Sequence, residues 1–199
     1  MTNQSPPCMI LCAGTSKRFG SNKILAPLGG RTVLSHVIER MQGQVSDMAL
    51  NAFMTDSYED YGLPVFPDRI PGGLGPLAGI LTAMEWATGL GRAQVLTVSG
   101  DTPFLPVDMV IRLGNAPKNT IVISCTEGRR QGVCSLWPVD LAPKLREFFS
   151  KGADYRVNSF LKNYTVQDID FRANKNINPF FNVNTVEDLA QAEKILNRL

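Results

Sequence analysis

The residue types in segment 11–23, LCAGTSKRFGSNK, are suited to holding a polyphosphate at the end of a β-strand. The segment directly follows the apolar run 8–11, and the small residues Ala13 and Gly14 allow the backbone to come close to phosphate oxygens. Three basic side chains supply positive charge for those oxygens: Lys17, Arg18 and Lys23. The segment predicts a triphosphate-binding turn, and the alternative is an ordinary glycine-rich turn between a strand and a helix.

A carboxylate follows a second apolar segment in the same way. Asp101 comes directly after QVLTVSG, residues 94–100. Because ligands of open α/β sheets bind beyond the carboxyl ends of the strands, we expect Asp101 to face the basic turn. A carboxylate there could hold a Mg²⁺ ion that bridges triphosphate oxygens. The alternative is that Asp101 begins a turn or caps a helix that starts near Val107.

Apolar runs that alternate with segments of helical period predict how these residues are positioned. The pattern indicates an α/β fold, a doubly wound, mostly parallel and Rossmann-like sheet with flanking helices. Strands are expected at 8–11, 48–53, 63–66, 94–99, 119–125, 132–137 and 164–168, with the polar turn EGRR between the fifth and sixth. Helices are expected at 31–41, 77–88, 141–149 and 185–199, the last with Thr185 as N-cap and Asp188 near the capping-box spacing.

Length and composition predict one folded domain over residues 1–199, with a disordered tail at 1–7. The chain is 44% hydrophobic and 19% charged, which is ordinary for a globular protein. A net charge of +2 is too small for a nucleic-acid-coating surface. The polar start MTNQSPP does not resemble a secretory signal, and no apolar run has the length of a membrane span. We therefore expect a cytoplasmic protein with no nucleic-acid or membrane partner.

Cysteine and histidine usage does not predict a metal or nucleophile site. The cysteines have no CxxC spacing, and the chain contains a single histidine, His36. We expect His36 at a helix surface or partly buried, and Trp86 in the core. The cysteines are expected to be small buried side chains in a reducing compartment: Cys8, Cys12, Cys125 and Cys134.

Four segments, in their order and spacing, resemble the molybdenum cofactor guanylyltransferase family. They are LCAGTSKRFGSNK, PDRIPGGLGPLAGI at 67–80, SGDTPFLP at 99–106 and FFNVNTVEDL at 180–189. The resemblance extends over nearly the whole chain. It implies an Mg²⁺-dependent transfer of GMP from GTP to the terminal phosphate of Mo-molybdopterin, with release of pyrophosphate. Proteins that handle molybdopterin or mature molybdoenzymes are implied as further partners.

The resemblance also implies roles for individual residues. The nucleotide-binding turn would consist of Leu11, Cys12, Ala13 and Gly14. Phosphate contacts and catalysis are implied for Lys23, Arg18 and Asp101, with Asp101 also holding Mg²⁺ and contacting the nucleotide. Nucleoside contacts are implied for Asn51 and Asp68, and a place near the metal, the α-phosphate or the pterin for Asn182 and Asn184.

Each of these side chains also has a purely structural alternative. Asn51 could end its strand and Asp68 could begin a turn. The two-residue spacing of Asn182 and Asn184 places both side chains on one face of an extended segment, which favours a shared role over two unrelated loop asparagines. The glycines of PGGLGPLAG could run close to the nucleotide or move over it as a flap, or could simply form a surface loop.

The sequence departs from the family pattern at three positions. Ala13 stands where the family usually has glycine, and Phe19 where it usually has methionine. Gly132 stands where a proline is usual, which predicts a more mobile approach to the pterin side. The departure at Gly132 concerns the acceptor side of the site and not the nucleotide side.

Two kinds of alternative function remain open. The enzymatic alternatives are a cytidylyltransferase for molybdopterin and a sugar-phosphate nucleotidyltransferase. The non-enzymatic alternative is a nucleotide-binding cofactor chaperone. Retention of both Lys23 and Asp101 favours an enzyme, because a binding protein could lose one of them.

Overall fold

The strands and helices of the chain were read from a computed structural model that describes residues 5–13, 22–53, 56–117, 119–152, 154–172 and 177–199. The strands are β1 Cys8–Leu11, β2 Pro27–Leu28, β3 Arg31–Thr32, β4 Met48–Asn51, β5 Val65–Phe66, β6 Gln94–Ser99, β7 Ile121–Thr126, β8 Arg129–Pro138 and β9 Val166–Asp170. The α-helices are α1 Val33–Met41, α2 Pro76–Gly89, α3 Met109–Leu113, α4 Ala142–Ser150, α5 Val157–Leu161 and α6 Val186–Leu196. Short 3₁₀ turns lie at Lys23–Leu25, Asp56–Tyr61 and Val139–Leu141.

Seven of the described strands form one sheet in the order β5-β4-β1-β6-β8-β7-β9. The pairings are parallel except for those of β8, which runs antiparallel to both β6 and β7. This confirms the predicted doubly wound, mostly parallel sheet with flanking helices. The carboxyl ends of β1, β4, β6 and β7 therefore lie at the same edge of the sheet.

Apolar side chains cover both faces of the sheet. Helices α1 and α3 pack on one face through residues such as Leu34, Val37 and Met109. Helices α2, α4 and α5 cover the other face, where Ile80 and Leu145 are fully buried. Burial on both sides explains why the strands near the centre read as continuous apolar runs rather than as an alternating pattern.

Helix starts follow from local sequence. Thr32 caps α1 by accepting a hydrogen bond from the backbone N–H of Ser35. The predicted capping box at α6 is confirmed, since the Thr185 hydroxyl and the Asp188 carboxylate each accept from the other's backbone N–H. Pro76 occupies the first turn of α2, where no intrahelical donor is lost.

Several predicted boundaries are wrong. The turn between β7 and β8 contains only Glu127 and Gly128, so the two arginines expected in it belong to β8. The first two residues predicted as helix at 31–41 form β3, and β9 begins two residues later than expected. The small β2-β3 hairpin and α5 were not predicted. Their five or two residues are too few for the helical or strand pattern to repeat.

Two residues of the segment 1–7, which was predicted to be a disordered tail, make backbone contacts with the rest of the fold. The carbonyls of Pro6 and Pro7 accept hydrogen bonds from the backbone N–H groups of Ser46 and Leu96. Residues 1–4 lie outside the described residues. In the part of the chain that is described, no helix is long and apolar enough to cross a membrane.

The predicted burial is wrong for His36 and Trp86 and confirmed for the cysteines. His36 was expected at a helix surface or partly buried but is buried, and its Nε2 lies 2.8 Å from the carbonyl of Leu28. Trp86 is only partly buried and packs at the edge of a core cluster, with its ring centroid 6.1 Å from that of Phe66. All four cysteines are buried and reduced, as expected.

Candidate active site

A cleft of about 320 Å³ opens at the sheet edge where β1, β4 and β6 end. Its lining includes seven of the residues that sequence analysis assigned to a nucleotide site: Leu11, Cys12, Ala13, Lys23, Asn51, Asp68 and Asp101. Gly14, Lys17 and Arg18, also assigned there, lie outside the described residues. The fold thus brings together residues from four separate parts of the chain.

Lys23 and Asp101 form an ion pair within this cleft. The Lys23 ammonium contacts Oδ2 of Asp101, and both side chains are only about one-eighth exposed, at 13% and 12%. The same ammonium donates to Oδ1 of Asn184 at 2.6 Å. The other carboxylate oxygen of Asp101 accepts from the Ser99 hydroxyl at 2.6 Å. A cation, a carboxylate and two neutral oxygen-bearing side chains therefore meet at one point.

Backbone contacts fix the position of Asp101. The N–H of Gly100 donates to the carbonyl of Leu11 at 3.0 Å, and the N–H of Val183 donates to the carbonyl of Asp101 at 2.9 Å. A Cβ on Gly100 would lie 3.3 Å from that Leu11 carbonyl oxygen, so the absence of a side chain permits the close approach. The alternative of a capping role is wrong, because α3 begins at Met109 after Asp108.

The Asn51 side chain, at the end of β4, holds a second carboxylate. Its Nδ2 donates to the carbonyl of Phe66 at 3.1 Å and to Oδ1 of Asp68 at 2.9 Å. Both partners are acceptors, which fixes the orientation of the amide and uses both of its hydrogens. Asn51 itself is 1% exposed. Burial raises the pKa of Asp68, and the Asn51 hydrogen bond partly opposes this increase.

Gly79 of α2 makes room for the Asn51 amide. A Cβ on Gly79 would lie 2.4 Å from Asn51 Oδ1 and 3.1 Å from Leu11 Cδ2. A Cβ does not come within 2.4 Å of a non-bonded oxygen, so the Asn51 amide would have to move. The second glycine of the GPLAG motif is therefore required by contact with Asn51, and it also lines the cleft.

The two asparagines at the amino end of α6 do not share one contact. Asn184 reaches Lys23, whereas Nδ2 of Asn182 donates to the carbonyl of Phe180 at 3.0 Å. Backbone N–H groups of Asn184 and Thr185 both donate to Asp188, so the helix cap holds Asn184 beside Lys23. Asn184 thus bonds to the Lys23 ammonium, whereas the described contact of Asn182 is with the backbone of its own segment.

Cys12 contributes a backbone hydrogen bond to the site and not a reactive thiol. Its N–H donates to the carbonyl of Asn51 at 2.8 Å, which continues the β1–β4 pairing beyond the strand. Burial, reinforced by the charge of Asp101, raises the pKa of the Cys12 thiol. The thiol is therefore neutral at physiological pH, and a thiolate nucleophile is not available there.

A bulge in β8 shapes the wall of the cleft. Ile123 pairs with Ser135 while Ser124 pairs with Gln131, so three residues of β8 have no opposite partner. Val133, in the middle of these three, lines the cleft. Its carbonyl accepts from the Thr97 hydroxyl at 2.5 Å.

Gly132, where the family usually has proline, lies in this bulge and packs against α5. A Cβ there would lie 3.0 Å from Val157 Cγ1. The expected mobility of this segment stays a prediction. Of the two neighbouring arginines, Arg130 pairs with Asp168 at 2.8 Å, and Arg129 is exposed.

Sequence analysis did not assign four residues that line the cleft: Ile24, Phe53, Ser99 and Val133. Ser99 and Phe53 each lie two positions from a predicted residue, Asp101 and Asn51, and this spacing was a usable signal. Gly79 belongs to a motif that was recognised, but its contact with Asn51 depends on tertiary packing.

The profile of the MobA-like NTP transferase domain matches residues 8–168 of the sequence. The chain belongs to this family. It is 38% identical to a protein named molybdenum cofactor guanylyltransferase from Mesorhizobium japonicum, over 96% of each chain. It is 42% identical to the protein of the same name from Rhizobium leguminosarum bv. trifolii, over 96% of this chain and 93% of the relative.

Solved structures confirm the nucleotidyltransferase fold. Molybdopterin-guanine dinucleotide biosynthesis protein A from Archaeoglobus fulgidus superposes with a TM-score of 0.73 at 18% identity, over 97% of this chain and all of that one. CMP:2-keto-3-deoxy-manno-octonic acid synthetase complexed with CTP superposes at 0.76 with 14% identity, over 98% and 99%. Rv0371C of Mycobacterium tuberculosis complexed with manganese superposes at 0.69 with 15% identity, over 96% and 99%.

Proposed function

We propose that this protein transfers GMP from GTP to the terminal phosphate of Mo-molybdopterin, forming the guanine dinucleotide cofactor and pyrophosphate. The observation that carries the proposal is the ion pair of Lys23 and Asp101 in one cleft at the carboxyl ends of β1 and β6, with Asn184 bonded to the Lys23 ammonium. The names of relatives 38–42% identical over nearly the full length supply the two substrates.

The reaction needs positioning and positive charge more than proton transfer. The acceptor phosphate is already an anion near neutral pH, so it can attack the α-phosphorus without a general base. The P–O bond to pyrophosphate breaks as the new P–O bond forms, and negative charge develops on the leaving oxygens. Lys23 would stabilise that charge from a site that is largely shielded from water.

The residues beside Lys23 fit a magnesium ion. Among the described residues no group of three or more His, Cys, Asp or Glu side chains could hold a metal. A single carboxylate is nonetheless sufficient for Mg²⁺ when phosphate oxygens and water complete the shell. Asp101 would hold the ion, with the oxygens of Ser99 and Asn184 nearby. When bound, Mg²⁺ would neutralise phosphate charge and orient the α-phosphate.

At the nucleoside end of the cleft, Asp68 and Asn51 have different proposed roles. We assign direct contact with the base to Asp68, because Asn51 is 1% exposed and already uses both amide hydrogens. A carboxylate is complementary to the adjacent N–H donors on the edge of guanine. Asn51 is then a positioning residue that orients Asp68. The Arg18 contact with the β- and γ-phosphates and the Asn182 role toward the pterin remain part of the proposal from resemblance.

We also propose that the chain acts as one domain in the cytoplasm, with proteins that supply molybdopterin and receive the product. Four buried, unpaired cysteines suit a reducing compartment.

The deciding experiment incubates the purified protein and Mg²⁺ with Mo-molybdopterin and each of the four nucleoside triphosphates in turn. We expect pyrophosphate release and a dinucleotide product, identified by mass spectrometry, with GTP alone. Turnover with CTP alone would establish the cytidylyl alternative. Tight GTP binding without any product would establish the cofactor-chaperone alternative.

A further inference from the structure

We infer that Phe53 is a stacking surface for the guanine base, an inference that rests on the proposed function. Phe53 is 53% exposed, although large apolar side chains such as phenylalanine are usually buried. It lines the same cleft as Asn51 and Asp68 and follows Asn51 by two positions. An exposed aromatic ring therefore lines the same cleft as the carboxylate that is assigned to the base.

The order of the strands separates the two ends of the cleft. Ser99 is the last residue of β6, and Asp101 lies two positions after it. Asn51 is the last residue of β4, and Phe53 lies two positions after it. Strand β1 lies between β6 and β4. Two strand spacings amount to about 10 Å, roughly the reach of a nucleotide from its α-phosphate to its base. A triphosphate held by Lys23 would accordingly extend its base toward Phe53.

The chemistry of the two side chains is complementary. Asp68 offers carboxylate oxygens, which suit the N–H edge of guanine, while an aromatic ring suits its face. Offset stacking of a base on a phenyl ring adds binding that does not depend on hydrogen bonds. The cleft is also lined by Gly73 and Gly75, which have positive φ and no side chain to occupy the space for a base.

Stacking also contributes to the choice of base. A purine offers a larger aromatic face than a pyrimidine, so Phe53 would favour GTP over CTP in addition to the edge contacts of Asp68. Loss of the ring should therefore weaken GTP binding more than CTP binding. A residue that only stabilises the fold would change both affinities equally.

The test compares Phe53→Ala, Phe53→Leu and Phe53→Trp with Ile111→Ala as a control. Ile111 is 71% exposed on α3 and is not among the cleft-lining residues. The dissociation constants of Mg·GTP and Mg·CTP are measured by calorimetry without acceptor, so the result does not depend on turnover. Proton NMR of GTP records the upfield ring-current shift of guanine H8.

We expect the Ala and Leu variants to bind GTP about 5- to 30-fold more weakly, with a smaller loss for CTP and without the H8 shift. The Trp variant and the Ile111→Ala control should bind as the wild type does. Full GTP affinity in Phe53→Leu would overturn stacking, since an apolar contact would then suffice. If the wild type transfers GMP while Phe53→Ala binds GTP normally, this inference fails and the proposed function stands. Failure of the wild type to bind GTP would overturn both.

Discussion

Lys23 and Asp101 lie 78 positions apart in the sequence, and their charged groups meet in the cleft. The pair joins the 3₁₀ turn after the basic segment to the end of β6. Asn184, brought in by the start of α6, bonds to the same ammonium. Three distant segments are thus held together where the transferred phosphate is proposed to lie.

Asp101→Asn should reduce guanylyl transfer by about 10²- to 10³-fold, because the remaining amide cannot supply the negative charge that holds Mg²⁺. The amide can still accept a hydrogen bond from Lys23, so thermal unfolding should stay within about 5 °C of the wild type. Pyrophosphate release and circular dichroism measure the two effects. Asp108→Asn, at an exposed carboxylate, is the matched control. Unchanged activity in Asp101→Asn would contradict the metal assignment.

Lys23→Met should reduce kcat/KM for GTP by about 10²- to 10³-fold, because it removes the positive charge from the transferred and leaving phosphates. The loss should appear in kcat more than in KM if the charge acts mainly in the transition state. Steady-state kinetics with saturating acceptor gives both constants. Lys144→Met, an exposed lysine of α4, should leave them unchanged. A variant that changes only KM would assign Lys23 to ground-state binding.

Gly79→Ala should raise the KM for GTP by about 10-fold, because the new methyl group displaces the Asn51 amide and with it Asp68. Gly89→Ala is the control in the same helix, since a Cβ there meets no atom within 4 Å. The control should retain activity and gain about 0.5–1 kcal/mol of stability. Kinetics and urea unfolding separate the two variants. An unaltered KM in Gly79→Ala would show that the Asn51 position does not matter.

GTP binding should weaken as pH falls through the raised pKa of Asp68, because the protonated carboxyl cannot accept from both donors of the base. Stability has the opposite dependence. A raised folded-state pKa means that the contribution of Asp68 is fully present below its unfolded-state pKa and is lost as pH rises through the folded-state pKa. Calorimetry and urea unfolding across this range test both statements. Both pH dependences should flatten in Asp68→Asn, and an identical profile would exclude Asp68 as their source.

The native protein should react slowly with iodoacetamide, because all four thiols are buried and burial raises their pKa values, to about 12 for Cys134 and about 11 for Cys125. Mass spectrometry should find little modification before unfolding and four modified thiols in urea. Transfer activity should survive the treatment of the native protein. Rapid loss of activity with modification of Cys12 would contradict the assignment of a purely backbone role.

The fold was largely predictable because it follows from local patterns. Continuous apolar runs, helical spacing and the Thr185 cap each act over a few neighbouring residues, and the structure has the corresponding strands and helices. Short elements such as α5 and the β2-β3 hairpin were not predictable, since five or two residues are too few for a periodic pattern to repeat. The assignment of Arg129 and Arg130 to a turn failed because pairing with β7 extends β8 past the polar residues.

The sequence by itself determined which residue types are available at strand ends and in the connecting loops, including the lysine, the two aspartates and the asparagines of the site. Only the tertiary structure decided how they are paired: Lys23 with Asp101 and Asn184, Asn51 with Asp68, and Gly79 against Asn51. The physical reason is that strand order and helix packing bring together side chains far apart in sequence. Short-range periodicity contains no information about those distances.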